Sequence, residues 1–179
     1  DIYSEFRSLD KLNGYIDFSG NKNIIPDNKF NIYGVINSLN FNEWKYLSKV
    51  KSDVNFLDYI NKINISFNKF FNNKIIFDNF SISGFSVNNA FIFDSIKVDS
   101  DKVSIDAEGS VEHNNISNFK INLNTSNLQN LLNYWGFNHG IRGSTIGSNF
   151  DISWQGGLFS YSLDKLYGKF YTNMNDGRL

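Results

Sequence analysis

At 179 residues the chain is long enough to bury a core of its own, and its length fits one domain. A formal net charge of −1 gives no electrostatic case for binding nucleic acid. The lack of cysteine excludes disulfides and thiolate chemistry. No apolar run approaches the ~18 residues of a membrane-spanning helix.

The first eleven residues show no clear period. Leu12, Gly14, Ile16 and Phe18 then alternate as a strand. Residues 20–28 hold the only proline, Pro26, and read as a loop. Phe30, Ile32, Gly34 and Ile36 form the next strand. The period changes at Phe41, Trp44, Leu47 and Val50, which are spaced by three. Asn40 or Asn42 can cap them, which predicts a short amphipathic helix, with Val54, Leu57 and Ile60 as a continuation.

From Ile63 the period of two returns. Ile63, Ile65 and Phe67 alternate with polar residues, and Asn72-Asn73 marks a turn. Phe80, Ile82 and Gly84 follow, then Phe85 and Val87, and Asn88-Asn89 turns again. Ile92, Ile96 and Val98 lead to a turn at Asp99-Ser100-Asp101. Val103, Ile105, Ala107, Gly109 and Val111 alternate most cleanly, against Ser104, Asp106, Glu108 and Ser110. After His113-Asn114-Asn115 come Phe119, Ile121 and Leu123.

A second helix is read from Leu128, Leu131, Leu132 and Trp135, at i, i+3, i+4 and i+7. Thr125 or Ser126 is its expected cap, and Gly136 suits its C′ position. The strand–helix unit near 30–50 recurs faintly near 116–136. Leu39, Asn40 and Leu47 correspond to Leu123, Asn124 and Leu131.

The last stretch alternates at Ile146, Ser148, Phe150, Ile152 and Trp154. Gly156-Gly157 allows a tight turn, and Phe159, Tyr161 and Leu163 alternate after it. Leu166, Gly168, Phe170, Thr172 and Met174 alternate in the opposite parity, which predicts a bulge near Asp164–Lys165. Asp176-Gly177 reads as a hairpin signal with no strand after it. The expectation is therefore one fragment, 1–179, of a longer protein.

Short turns predict antiparallel neighbours. One face of the resulting sheet is Ile, Val, Phe and Leu, and the other is Asn, Ser, Lys and Asp. Such a sheet has one dry face that must be covered. Two short helices are too few to cover it. The sheet folds onto itself as a sandwich or barrel, or it curls into an open gutter completed by a ligand.

Chemistry-bearing clusters are sparse. His113 and His139 have no partner at metal-ligand spacing. Asp99 and Asp101 flank a turn, and Asp106 and Glu108 lie on a polar strand face. The glycines at 140, 143 and 147 precede a strand rather than a helix, so they read as a flexible hairpin and not a phosphate loop. Among the tryptophans, Trp44 and Trp135 read as helix packing. Trp154 reads equally as packing or ligand contact. No enzymatic function and no cofactor are expected.

The stretch from Trp154 to Leu179 carries a resemblance. Trp154, Gly156, Tyr161, Leu163, Leu166, Gly168, Gly177 and Arg178 match a pattern of the AsmA-like proteins, closest to the YhdP branch. Gln155 and Leu158 stand where that branch has proline. Ile32–Trp44 resembles a second signature, a strand with Gly followed by Leu-x-x-x-x-Trp.

The resemblance implies a mainly β fold, an open curved antiparallel sheet with two short helices. It implies an apolar groove that carries phospholipid acyl chains between inner and outer membranes. The piece would be the periplasmic part of an inner-membrane-anchored protein in a Gram-negative bacterium. Its partners would be the lipid chains, the remainder of the same chain at both sheet edges, and membrane through the parent protein. The alternative is a structural or adhesive β-sandwich segment of a secreted protein. On the groove reading the lining comes from five strands. They supply Ile63, Ile65 and Phe67; Val103, Ile105, Ala107 and Val111; Phe119, Ile121 and Leu123; Ile146, Phe150, Ile152 and Trp154; and Phe170 and Met174.

Overall fold

A computed structural model describes residues 3–8, 12–17, 29–40, 56–72, 75–113, 116–137, 140, 142–158 and 163–178. Ten strands form one sheet, in the order of the sequence. They are β1 (Tyr3–Ser8), β2 (Leu12–Asp17), β3 (Phe30–Asn40), β4 (Ile60–Asn72) and β5 (Ile75–Val87). After them come β6 (Ala90–Asp99), β7 (Ser104–Glu112), β8 (Ile116–Thr125), β9 (Arg142–Gln155) and β10 (Leu166–Arg178). One α-helix, α1 (Leu128–Tyr134), lies between β8 and β9. Among the described residues the sheet is open: β1 pairs only with β2, and β10 only with β9. Among the described residues there is no second sheet, so this is a curved single layer and not a sandwich.

The antiparallel expectation holds with one exception. β3 and β4 run parallel, with Ile32 opposite Ile63 and Ile36 opposite Phe67. A parallel neighbour needs a crossover rather than a turn. The predicted helix at 41–50 falls in that connection and lies outside the described residues. The connection ends in a 3-10 turn, Phe56–Tyr59, where the sequence pointed to a continuing helix. The two strand–helix units thus differ in topology, because β8 and α1 lead into an antiparallel neighbour.

Turn chemistry sets most of the register. Asn88 takes a φ of 46° in the two-residue link between β5 and β6, a conformation that asparagine tolerates. In the turn after β6, Ser100 Oγ accepts from the backbone N–H of Val103 at 3.2 Å.

Two readings change at the end of the chain. Leu163–Lys165 is a 3-10 turn and not a bulge, and β10 begins directly after it with Leu166 opposite Trp154. Phe159 and Tyr161 lie outside the described residues. Asp176-Gly177 is no hairpin: β10 continues to Arg178, with Asp176 at φ 59°. Its partner strand matches that distortion, since Ser144 has φ 84° and Gly143 has φ 67°. Gly143 and Gly147 sit inside β9 rather than in a hairpin.

A bulge in β6 corrects the facing of that strand. The register shifts between Phe93 and Ile96, so Phe91 and Phe93 join Val98 on the dry face and Ile92 turns away. Phe91 is 2% exposed and Phe93 is 1% exposed. The rings of Phe91 and Phe119 need room on neighbouring strands, and glycine supplies it. A Cβ on Gly84 would lie 2.7 Å from the Phe91 ring, and a Cβ on Gly109 would lie 2.4 Å from the Phe119 ring. Phe91, Phe93, Val111, Phe119, Trp154 and Ile60 form the main core, closed over by Leu57 and Leu158.

Helix α1 makes a second, smaller core. Its N-cap is Asn127, whose side chain accepts from the N–H of Asn130. Neither expected cap, Thr125 or Ser126, takes the place; Thr125 instead accepts from the N–H of Asn127 and donates to the carbonyl of Lys102. Gly136 ends the helix at φ 72°, with Phe137 N–H bonded to Leu132 O and Gly136 N–H to Asn133 O. Leu131 packs on Val98 and Val103. The Trp135 ring N–H donates to Ile76 O, and the Tyr134 hydroxyl donates to Asp78 at 2.9 Å. Burial, first, and the Asp78 carboxylate beside it push the Tyr134 phenol up to about 12.

Two outcomes follow from this packing. Gly109→Ala should lower stability by about 1–3 kcal/mol, the cost of overpacking a filled site. Gly140→Ala, where nothing lies within 4 Å, should be close to neutral in the same urea melts. For Tyr134, the folded protein holds the phenolic proton more tightly than the unfolded chain, whose value is 10.0. The linked stability is complete below pH 10 and is lost as pH rises toward 12. Tyr134→Phe should therefore flatten the decline of urea midpoint across that window. An unchanged slope would show that the helix clasp does not form.

Candidate functional site

The dry face is built row by row from the strand register, since directly opposed residues point to the same side. Its central row is Gly34, Ile65, Ile82, Ile96, Ala107, Ile121, Phe150 and Phe170, one residue from each of β3 to β10. It runs at right angles to the strands and contains no polar side chain. Eight strands at ~4.8 Å spacing give it a length of about 34 Å. From β3 to β9 its residues are half-buried. Phe170, at the open edge, is 70% exposed.

The rows on either side close the flanks. On one side, Phe119 stacks on Trp154 with centroids 5.3 Å apart and planes 14° apart. On the other, Phe67, Phe70, Phe77 and Phe80 make a cluster capped by Trp135. Asn79, at φ 49°, lets Phe77 and Phe80 reach that cluster from one strand.

The sequence-predicted residues divide accordingly. Phe67, Val111, Phe119 and Trp154 are buried in the flanks. Val103 is buried too, and it precedes β7 rather than standing in it. Ile63, Ile65, Ile105, Ala107, Ile121, Leu123, Ile146, Phe150 and Ile152 are half-buried on the one face, and Phe170 and Met174 are exposed at its edge. The sequence reading missed Phe91, Phe93 and Leu158. Alternation hides the first two behind the β6 bulge, and the third is in a loop.

Four hydroxyls on this face are satisfied from within the protein. The Ser117 hydroxyl donates to Gly156 O at 2.8 Å, and the Thr125 hydroxyl to Lys102 O at 2.7 Å. The Ser148 and Thr172 hydroxyls bond to each other at 3.0 Å. None of these three places demands a polar partner from a ligand. Two contacts reach across intervening strands. Lys29, just ahead of β3, donates to Ser86 Oγ on β5 at 2.5 Å. His113 Nε2, in the turn after β7, meets Asp58 Oδ1, ahead of β4, at 3.4 Å.

The opposite face is polar and charged. Glu108, Lys120, Asp151 and Lys169 oppose one another in alternating sign across β7 to β10. A shallow dish of about 440 Å³ lies here, bounded by Asp94, Lys97, Asp106 and Lys120. Of its carboxylates, Asp106 is salt-bridged to Lys97 at 3.7 Å, Glu108 and Asp151 are cross-strand neighbours of Lys120, and Asp94 accepts from the Ser83 hydroxyl. Among the described residues no three His, Asp or Glu side chains converge as a metal site. His139 and Trp44 lie outside the described residues. No helix among those residues is long and apolar enough to cross a membrane.

Neither the curated proteins nor the solved structures offer a match to this chain. A family model does: the one described as YhdP protein matches residues 8–179. That span covers the whole sheet from the end of β1 onward, so the chain belongs to the YhdP family.

Proposed function

We propose that this chain is a section of a lipid-transfer conduit whose dry face holds phospholipid acyl chains. The observation that carries the reading is the uninterrupted apolar row across eight strands, half-buried from β3 to β9. An acyl chain needs no specific partner, and each methylene it buries contributes about 0.8 kcal/mol. A row with no polar step lets the chain slide at right angles to the strands. The self-satisfied hydroxyls beside it add no barrier. On this reading the section does no covalent chemistry. It sits in the periplasm of a Gram-negative cell, within a longer protein anchored in the inner membrane, and passes lipid toward the outer membrane. Family membership supports that placement.

Lining roles fall to the half-buried residues, with Ala107 and Ile121 at the centre of the row. Ile121→Asp puts a carboxylate where an acyl chain would have to desolvate it. Stability should fall by about 1–3 kcal/mol, because the residue is only half-buried. Lipid occupancy by native mass spectrometry should fall about tenfold, the loss of roughly two methylene contacts. Ala107→Trp should block occupancy by bulk alone, with Asp106→Asn on the polar face as the control. Wild-type occupancy in both Ile121→Asp and Ala107→Trp would remove the central row from the lipid path.

A further inference from the structure

The open part of the dry face is not equally wide along its length. It is narrowest on β6, an interior strand paired on both sides, with β5 and β7. On β8, Ile121 and Leu123 are both half-buried, between buried Phe119 and Thr125. On β9 the half-buried pair is Phe150 and Ile152, between buried Ser148 and Trp154. On β4 it is Ile63 and Ile65, between buried Ile60 and Phe67. On β6 the dry face has one half-buried residue, Ile96. Phe93 on one side of it is 1% exposed, and Val98 on the other is 3% exposed.

The bulge in β6 makes this narrowing. Counting back by twos from Val98 and Ile96, Asp94 would take the next place on the dry face. The register shift between Phe93 and Ile96 puts Phe93 there instead, opposite Gly109. Asp94 goes to the polar face, where it accepts from the Ser83 hydroxyl. The Phe93 ring packs on Phe91 at 5.0 Å and on Phe119 at 5.8 Å, centroid to centroid. Val98 is held under Leu131 of α1. Residues on one face of a strand repeat every ~7 Å, so the open strip is about 7 Å wide on β6 and about 14 Å wide on β8. Alkyl carbons pack at ~4 Å, so two chains abreast need about 8 Å.

We propose that Ile96 is the gauge of the groove, a point that one alkyl chain crosses at a time, whereas β8 holds two chains abreast. The inference rests on the lipid reading above and adds a selectivity to it. A two-chain lipid crosses β6 with one chain leading and the other trailing, and its chains come together again over Ile121 and Leu123.

Palmitic acid carrying a diazirine on its chain tests this, with adducts placed by peptide mass spectrometry. In the wild type, single molecules should carry adducts at both Ile121 and Leu123 of β8. On β6 they should carry one at most, at Ile96, and none at Ile92 on the polar face. Ile96→Trp should lower adducts on β6 about tenfold, the loss of roughly two methylene contacts. Leu123→Trp, the same change on the wider strand, should leave the adduct at Ile121 in place. The wild-type adduct count carries the test even where a variant does not fold. Two adducts at once on the dry face of β6 overturn the gauge. So does a Leu123→Trp protein that loses β8 adducts as fully as Ile96→Trp loses those of β6. In both of these outcomes the lipid reading stands. A wild type with no adduct anywhere on the dry face removes the lipid reading itself, and the gauge with it.

Discussion

A single β layer with one dry face leaves that face without a partner layer, and the rest of this structure answers that constraint. Helices on both sides or a second sheet are the usual covers. Here the protein covers the flanks and leaves the middle half-buried. Phe91, Phe93, Val111, Phe119 and Trp154 fill one flank, under Leu57 and Leu158. Leu131 and Trp135 of α1 close the other. Between them runs a row from Ile65 to Phe150 that no element of the described chain covers fully.

The flanks need more than apolar residues. Aromatic rings lie flat against a sheet only where a neighbouring strand lacks a side chain. Gly84 and Gly109 provide that space under Phe91 and Phe119. Hydroxyls on the same face are tolerated because each finds an internal acceptor or partner. The one exception is the Ser144 hydroxyl, which is buried with no hydrogen-bond partner. It sits at the distorted start of β9, where φ is positive at both Gly143 and Ser144.

Among the described strands, the parallel step from β3 to β4 is the one departure from antiparallel neighbours. The 3-10 turn before β4 brings Leu57 onto the core and Asp58 to His113. That turn is thus part of the flank and not only a connection. At the far edge, β10 carries the dry face outward with Phe170 and Met174 exposed.

Alternation by itself determined the strands from Ile63 onward, because a half-solvated sheet writes a period of two into its residues. Helix α1 was equally legible from Leu128, Leu131 and Leu132, and Gly136 from its place after them. Most of the dry face, from Ile65 to Phe170, followed from parity alone. Tertiary structure decided the rest. The parallel pairing of β3 and β4 depends on backbone bonds that no side-chain pattern encodes. The bulge in β6 replaced Ile92 by Phe91 and Phe93, because one extra residue reverses every side chain beyond it. Asn127 took the cap from Thr125 because that hydroxyl was already committed to Lys102 O. Whether a dry-face residue is core or open surface depends on what lies above it, and only packing could separate Val111, 1% exposed, from half-buried Ala107 on the same strand.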